Sequence, residues 1–86
     1  MDIKELTERN YAATVRRELI SDKTKFRDFS LKILEEYAEI VEARYSKKMG
    51  EEIADLIIVG FCMAKHYEID IQKELDKKTL FNEKRP

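Results

Sequence analysis

Glu36 and Glu39 stand three residues apart, as do Glu52 and Asp55, and twelve residues separate the two pairs. Three residues is close to one helical turn, so in helices each pair projects from one side. At about 100° per residue, Glu36 falls at the edge of the arc made by Phe29, Ile33, Tyr37 and Ile40. Glu39 lies just outside that arc, and Lys32 stands one turn before Glu36 on the same side. Glu52 and Asp55 share a side with Val59 and Met63, in the most apolar segment of the chain. Carboxylates there lose solvation and repel one another. A hard divalent cation relieves both costs, because Mg²⁺ takes octahedral oxygen ligands and is commonly shared between carboxylates and substrate phosphates. Charged residues make up 41% of the chain, so one such pair means little. Two pairs, each beside a core stripe on neighbouring helices, point to a metal site of the kind helical bundles build from facing side chains.

Helical periodicity supplies the elements that would hold these acids. A first helix is expected over about Ile3–Ile20, with Tyr11, Val15 and Leu19 on one side and Leu6 loosely extending it. Ser21–Thr24 reads as a capped break. A second helix is expected over about Phe26–Tyr45, with Phe29, Ile33, Tyr37, Ile40 and Val41 as its core stripe. After a break at Ser46–Gly50, a third helix is expected over about Glu51–His66. Ile53, Leu56, Ile57, Val59, Gly60, Met63 and Ala64 would face the core, and Ile58, Phe61 and Cys62 point elsewhere. A helix apolar all round is usually covered on every side. Asp70 is placed to cap a short fourth helix carrying Ile71 and Leu75, followed by a basic, irregular tail from Lys77 to Pro86. The expected fold is all-α, a single domain over residues 1–86 with about four helices.

Composition narrows the function. Seventeen basic residues against eighteen acidic give a net charge of −1, without the basic excess of a nucleic-acid binder. Two glycines and one proline disfavour a turn-rich β architecture. One cysteine excludes an intrachain disulfide and a Cys-based zinc site. The charged N-terminus has no apolar signal region, and the longest apolar run, Leu56–Ala64, is half of a membrane span. A cytoplasmic protein is expected, with no membrane or nucleic-acid partner. A chain this short, without disulfides, is expected to complete its core as a homodimer or homotetramer. Glycine-rich phosphate loops are absent, so any phosphate chemistry must use metal and basic side chains.

The four acids in this spacing resemble the ExxE…ExxD signature of MazG-type all-α nucleoside triphosphate pyrophosphohydrolases. Lys32-Ile-Leu-Glu-Glu-Tyr-Ala-Glu39 is similar to the family's first acidic helix, and Glu51-Glu-Ile-Ala-Asp-Leu56 to its second. The resemblance continues through Tyr67–Leu75 and the tail ending Asn82-Glu-Lys-Arg-Pro86, covering roughly Lys32–Pro86. It implies a MazG-like helical bundle, a dimer or tetramer, and Mg²⁺-dependent hydrolysis of a nucleoside triphosphate to a monophosphate and pyrophosphate, with Mn²⁺ as a possible substitute. Glu36, Glu39, Glu52 and Asp55 would be the catalytic metal ligands, with the attacking water oriented by one of the four. No nucleophilic side chain is needed, since phosphoryl transfer rests on positioning and charge neutralisation.

Basic groups must meet the remaining phosphate charge. Lys32 is placed for it by position, though an ion pair with Glu36 explains it equally. Lys78, Asn82, Lys84 and Arg85 are nucleotide-binding candidates through the resemblance, against the plainer reading of a frayed terminus. Arg16 and Arg17 read as a solvated face. His66 can serve the end of its helix, Cys62 and Tyr37 fit the core, and Tyr11 and Tyr45 pack by default. Two other functions fit the same residues. One is a phosphoribosyl-ATP pyrophosphatase of the same superfamily. The other is a non-catalytic helical interaction module in which the acids are merely solvated.

Overall fold

A computed structural model describes every residue from Met1 to Pro86. It consists of four helices and no strand: α1 (Ile3–Arg16), α2 (Phe26–Ala43), α3 (Met49–His66) and α4 (Ile71–Lys84). The all-α expectation holds. Side chains start three of the helices where the chain supplies short acids. Asp2 Oδ1 accepts from Glu5 N at 2.8 Å, Asp28 Oδ2 from Lys25 N at 2.8 Å, and Asp70 Oδ1 from Lys73 N at 3.1 Å. Each satisfies a backbone donor that the helix geometry leaves free.

Helix α3 is the hub, with α2 and α1 packed on it and α4 held more lightly. Ile20, Phe29 and Cys62 form the buried centre, and Tyr11, Ile58 and Met63 pack against it. His66 locks three elements together there. Its Nε2 lies 3.1 Å from the Thr24 carbonyl oxygen and its Nδ1 lies 3.0 Å from Tyr11 Oη. A carbonyl only accepts, so Nε2 carries the proton, and in the neutral ring Nδ1 accepts from the tyrosine. The ring also lies 5.1 Å from that of Phe29, centroid to centroid. His66 therefore ties α3 to α1 and to the α1–α2 loop, a role beyond the end of its own helix.

Several expectations are corrected. Helix α1 stops at Arg16 rather than Ile20, and α2 at Ala43 rather than Tyr45. Each is followed by a residue in the left-handed region, Glu18 at φ 61° and Tyr45 at φ 61°. Helix α3 begins two residues early, so Met49 and Gly50 are helical. The tail is not irregular, because α4 continues to Lys84. Lys77–Lys84 contains neither Gly nor Pro, and Thr79, a poor helix former, spends its hydroxyl on the Leu75 carbonyl at 2.7 Å. On α3, Ile58 packs on the core and Cys62 is buried, while Ile53, Ile57 and Gly60 face outward. Tyr37, Val15 and Leu19 are exposed too.

The polar side of α1 accounts for part of this. Thr7 is buried, and Asn10 and Thr14 are half-buried. Their side chains donate to the carbonyls of Ile3, Leu6 and Asn10 one turn back, at 2.7 to 2.9 Å. Once bonded in this way, small polar groups are cheap to bury.

Helices α1 and α3 both end in a Schellman arrangement. Leu19 N donates to Thr14 O, and Ile69 N to Ala64 O. The residue that must turn left-handed is Glu18 in one and Glu68, at φ 56°, in the other. A side chain there costs about 1 kcal/mol or more relative to glycine. Glu68→Gly is therefore expected to raise unfolding free energy by about 0.5–1 kcal/mol in urea titration. Tyr11→Phe, which removes the hydroxyl from His66, is expected to lower it by about 1 kcal/mol.

Candidate metal centre

The antiparallel packing of α2 on α3 brings both acidic pairs into one seam. Glu36 and Glu39 come from α2, Glu52 and Asp55 from α3, and one carboxylate oxygen of each lies within 4.8 Å of all the others. Glu36 is buried, Glu39 and Glu52 are half-buried, and Asp55 is exposed. The cluster thus runs from the core to the surface.

Its electrostatics are unbalanced. Lys32 Nζ is the one cation paired with the cluster, 3.0 Å from Glu36 Oε1 and 3.6 Å from the neighbouring Glu35. Those contacts, with Glu36 first, hold the Lys32 ammonium above its usual range. Glu36 Oε2 and Glu52 Oε2 are buried and have no hydrogen-bond partner. Buried polar atoms are nearly always satisfied, and an orphaned carboxylate oxygen is among the costliest exceptions. Glu39 is pushed up from 4.5 to about 7. A hydrogen bond with Glu36 is the main cause, followed by the Glu36 charge, lost solvation and Glu52.

These donors fit a hard divalent cation. All four are carboxylates, two carry an oxygen with no other partner, and the two helices fix them from opposite sides. The structure brings together the four acids singled out from the sequence, and it places Lys32 next to them.

An open cleft of about 570 Å³ lies between α1, α2 and α3, and Glu36 and Asp55 form part of its wall. This is within the usual size range for a small-molecule site. Arg17, at the end of α1, also lines the cleft together with Lys32, although the sequence reads it as a solvated face. Asn10, Thr14 and Asp28 also belong to the polar part of the wall. No chemical motif marks these three residues; only the i,i+4 spacing of Asn10 and Thr14 hints at a shared face.

Lys78, Asn82 and Lys84 lie on α4 and Arg85 directly after it, all exposed and outside this wall. Lys78 Nζ and the Arg85 guanidinium stand over the Phe81 ring, at 4.7 and 5.9 Å from its centroid. Cys62 is buried, and burial pushes its thiol up. Tyr45 is exposed beyond the end of α2. No helix is long and apolar enough to cross a membrane. Comparison with known protein families, curated proteins and solved structures finds no match for this chain.

The raised Glu39 carboxyl sets a pH dependence for the metal-free protein. A group whose folded-state pKa is raised contributes stability below its unfolded value and loses that contribution as pH rises through the folded value. The window here runs from about 4.5 to about 7. Melting temperature without metal is expected to fall across that window, and Glu39→Gln should flatten the fall. Added Mg²⁺ should raise the melting temperature at pH 7.5 and have little effect at pH 5, where protons compete for the ligands.

Proposed function

We propose that the protein is a Mg²⁺-dependent nucleoside triphosphate pyrophosphohydrolase that cleaves between the α and β phosphates. The observation that carries this reading is the meeting of four carboxylates from α2 and α3, two with an orphaned buried oxygen. Glu36, Glu39, Glu52 and Asp55 would hold the metal. When bound, Mg²⁺ offsets the acids' charge, binds phosphate oxygens and stabilises the charge that develops as the anhydride breaks. The resemblance of these acids to the MazG-type signature supports the same assignment.

The chain's own residues have definite tasks in this scheme. The α2–α3 packing fixes the carboxylates before substrate arrives, so little reorganisation is needed. Lys32, held charged by Glu36, lies where a phosphate beside the acids would meet it. Arg17 offers a planar fork to a second phosphate along the cleft. The tail candidates Lys78, Asn82, Lys84 and Arg85 have no task in this scheme, because they do not line the cleft. Mn²⁺ suits the same all-oxygen donor set.

Incubation with nucleoside and deoxynucleoside triphosphates plus Mg²⁺ should release pyrophosphate and the matching monophosphate. Phosphoribosyl-ATP belongs in the same panel, because its preferential cleavage would select the related pyrophosphatase reading. Release of orthophosphate alone, or no turnover on any substrate, contradicts the proposal. Glu39→Gln and Asp55→Asn are expected to lower kcat by about 10³-fold or more. Both should leave the metal-free fold intact or more stable, because each removes a repelling charge. Lys32→Ala should lower kcat/KM about tenfold, the equivalent of about 1.4 kcal/mol.

A further inference from the structure

The cleft between α1, α2 and α3 has two unlike ends. Tyr11 Oη and the Phe29 ring both meet His66, so the middle of α1 and the start of α2 lie beside the end of α3. The start of α1 lies further out, where Ile3 and Thr7 wall a second hollow with Lys65 and Ile69. Helix α1 therefore runs antiparallel to α3, and Arg17 falls back toward Asp55. Asn10 and Asp28, next in sequence to Tyr11 and Phe29, line the cleft at its His66 end. Asp28, Lys32 and Glu36 follow one another on α2 at intervals of four residues. Asp28 thus stands about 12 Å along the axis from Glu36, with Lys32 halfway.

Apolar side chains lie between the two ends. Ile20, Phe29 and Cys62 are buried under the cleft, and Ile58 is half-buried beside them. Leu19, on the same wall, is left 58% exposed. Such a slot, apolar at its sides and polar at its far end, suits a flat heterocycle. The spacing from Glu36 to Asp28 is of the order that separates the α-phosphate of an extended nucleotide from the outer edge of its base. With the phosphates at the acids, Lys32 and Arg17, the base edge comes to Asp28.

The side chains at that end differ in what they can bond. Asn10 holds the Leu6 carbonyl with Nδ2 at 2.9 Å, and Thr24 Oγ1 accepts from Ser21 N at 2.9 Å. An amide and a hydroxyl can each still donate or accept, so neither chooses between bases. Asp28 does choose. Its Oδ2 accepts from Lys25 N at 2.8 Å, which fixes the carboxylate on the first turn of α2 and leaves Oδ1 over. No cation of the chain pairs with it. An ionised carboxylate accepts only.

We propose that Asp28 selects nucleotides whose base carries an exocyclic amino group, cytosine and adenine, over the keto bases uracil, thymine and hypoxanthine. The amino N–H donates to Asp28 Oδ1, a charge-assisted bond of the stronger kind. A keto oxygen in its place sets lone pairs against the carboxylate. The imide N–H of uracil offers no escape, because it is flanked by two such oxygens. This selection rests on the hydrolytic reading above, which decides the end that the phosphates take.

The test compares kcat/KM for CTP against UTP and for ATP against ITP, pairs that differ at this one group or at the nitrogen beside it. The amino member of each pair should be favoured about tenfold or more. Asp28→Asn keeps an oxygen for Lys25 N and turns an N–H toward the cleft, so it should bring both ratios to about one while the melting temperature holds. Lys32→Ala should lower turnover on all four and leave the ratios unchanged, since it meets phosphate. Equal kcat/KM within both native pairs overturns the selection and leaves hydrolysis standing. A preference that Asp28→Asn does not move overturns it too. If none of the four is cleaved, the hydrolytic reading fails, and calorimetric binding of the α,β-imido analogues of CTP and UTP decides the selection alone. Tighter binding of the cytosine analogue, lost in Asp28→Asn, supports it, and equal binding or none overturns it.

Discussion

Four like charges within 4.8 Å of one another are the constraint around which this small fold is arranged. Glu36, Glu39, Glu52 and Asp55 would separate if their helices were free to part. They are held together because α2 and α3 share an apolar contact centred on Phe29 and Cys62. The burial that stabilises the hairpin is the same burial that strips solvent from Glu36 and Glu52. Lys32 offsets one charge, the crowding pushes the Glu39 carboxyl up to about 7, and two carboxylate oxygens still have no partner. Stability and the capacity to hold a cation are thus in direct opposition, as expected where function sets the local chemistry.

The rest of the chain keeps that seam in place. His66 fastens the far end of α3 to α1 and to the Thr24 carbonyl, so the hairpin cannot slide without breaking two hydrogen bonds. Helix α1 forms the third wall of the cleft and brings Arg17 to it. It does so with its polar side turned inward, which is possible because Thr7, Asn10 and Thr14 bond their own backbone. The site therefore combines a rigid acidic floor with cations on the neighbouring elements.

The floor of the site was legible in the sequence because i,i+3 spacing on a helix does not depend on what the helix packs against. Any α2–α3 hairpin that buries Phe29 also sets Glu36 at its edge. Helix faces were harder to read. Helix α3 is apolar all round, so periodicity alone does not say that Ile58 and Cys62 turn inward and Ile53 and Ile57 outward. The stripe of Val15 and Leu19 on α1 looked like its core side, whereas bonded threonines and asparagine take that place. The basic tail looked irregular because its charges and its Thr79 and Asn82 obscured a helix with no breaker until Pro86. Only resemblance ties its cations to the site, and the fold sets Lys78 and Lys84 on α4 and Arg85 just beyond it, outside the cleft. Arg17 has no signal of its own in the sequence, because its approach depends on where α1 ends, at a turn made by a left-handed glutamate.

A crystal structure grown with Mn²⁺, with data collected at the manganese absorption edge, tests the central claim most directly. An anomalous peak between α2 and α3, with oxygens of Glu36, Glu39, Glu52 and Asp55 around it at bonding distance, is the expected result. Carboxylates turned apart into solvent, with no anomalous density between them at saturating metal, would contradict the account.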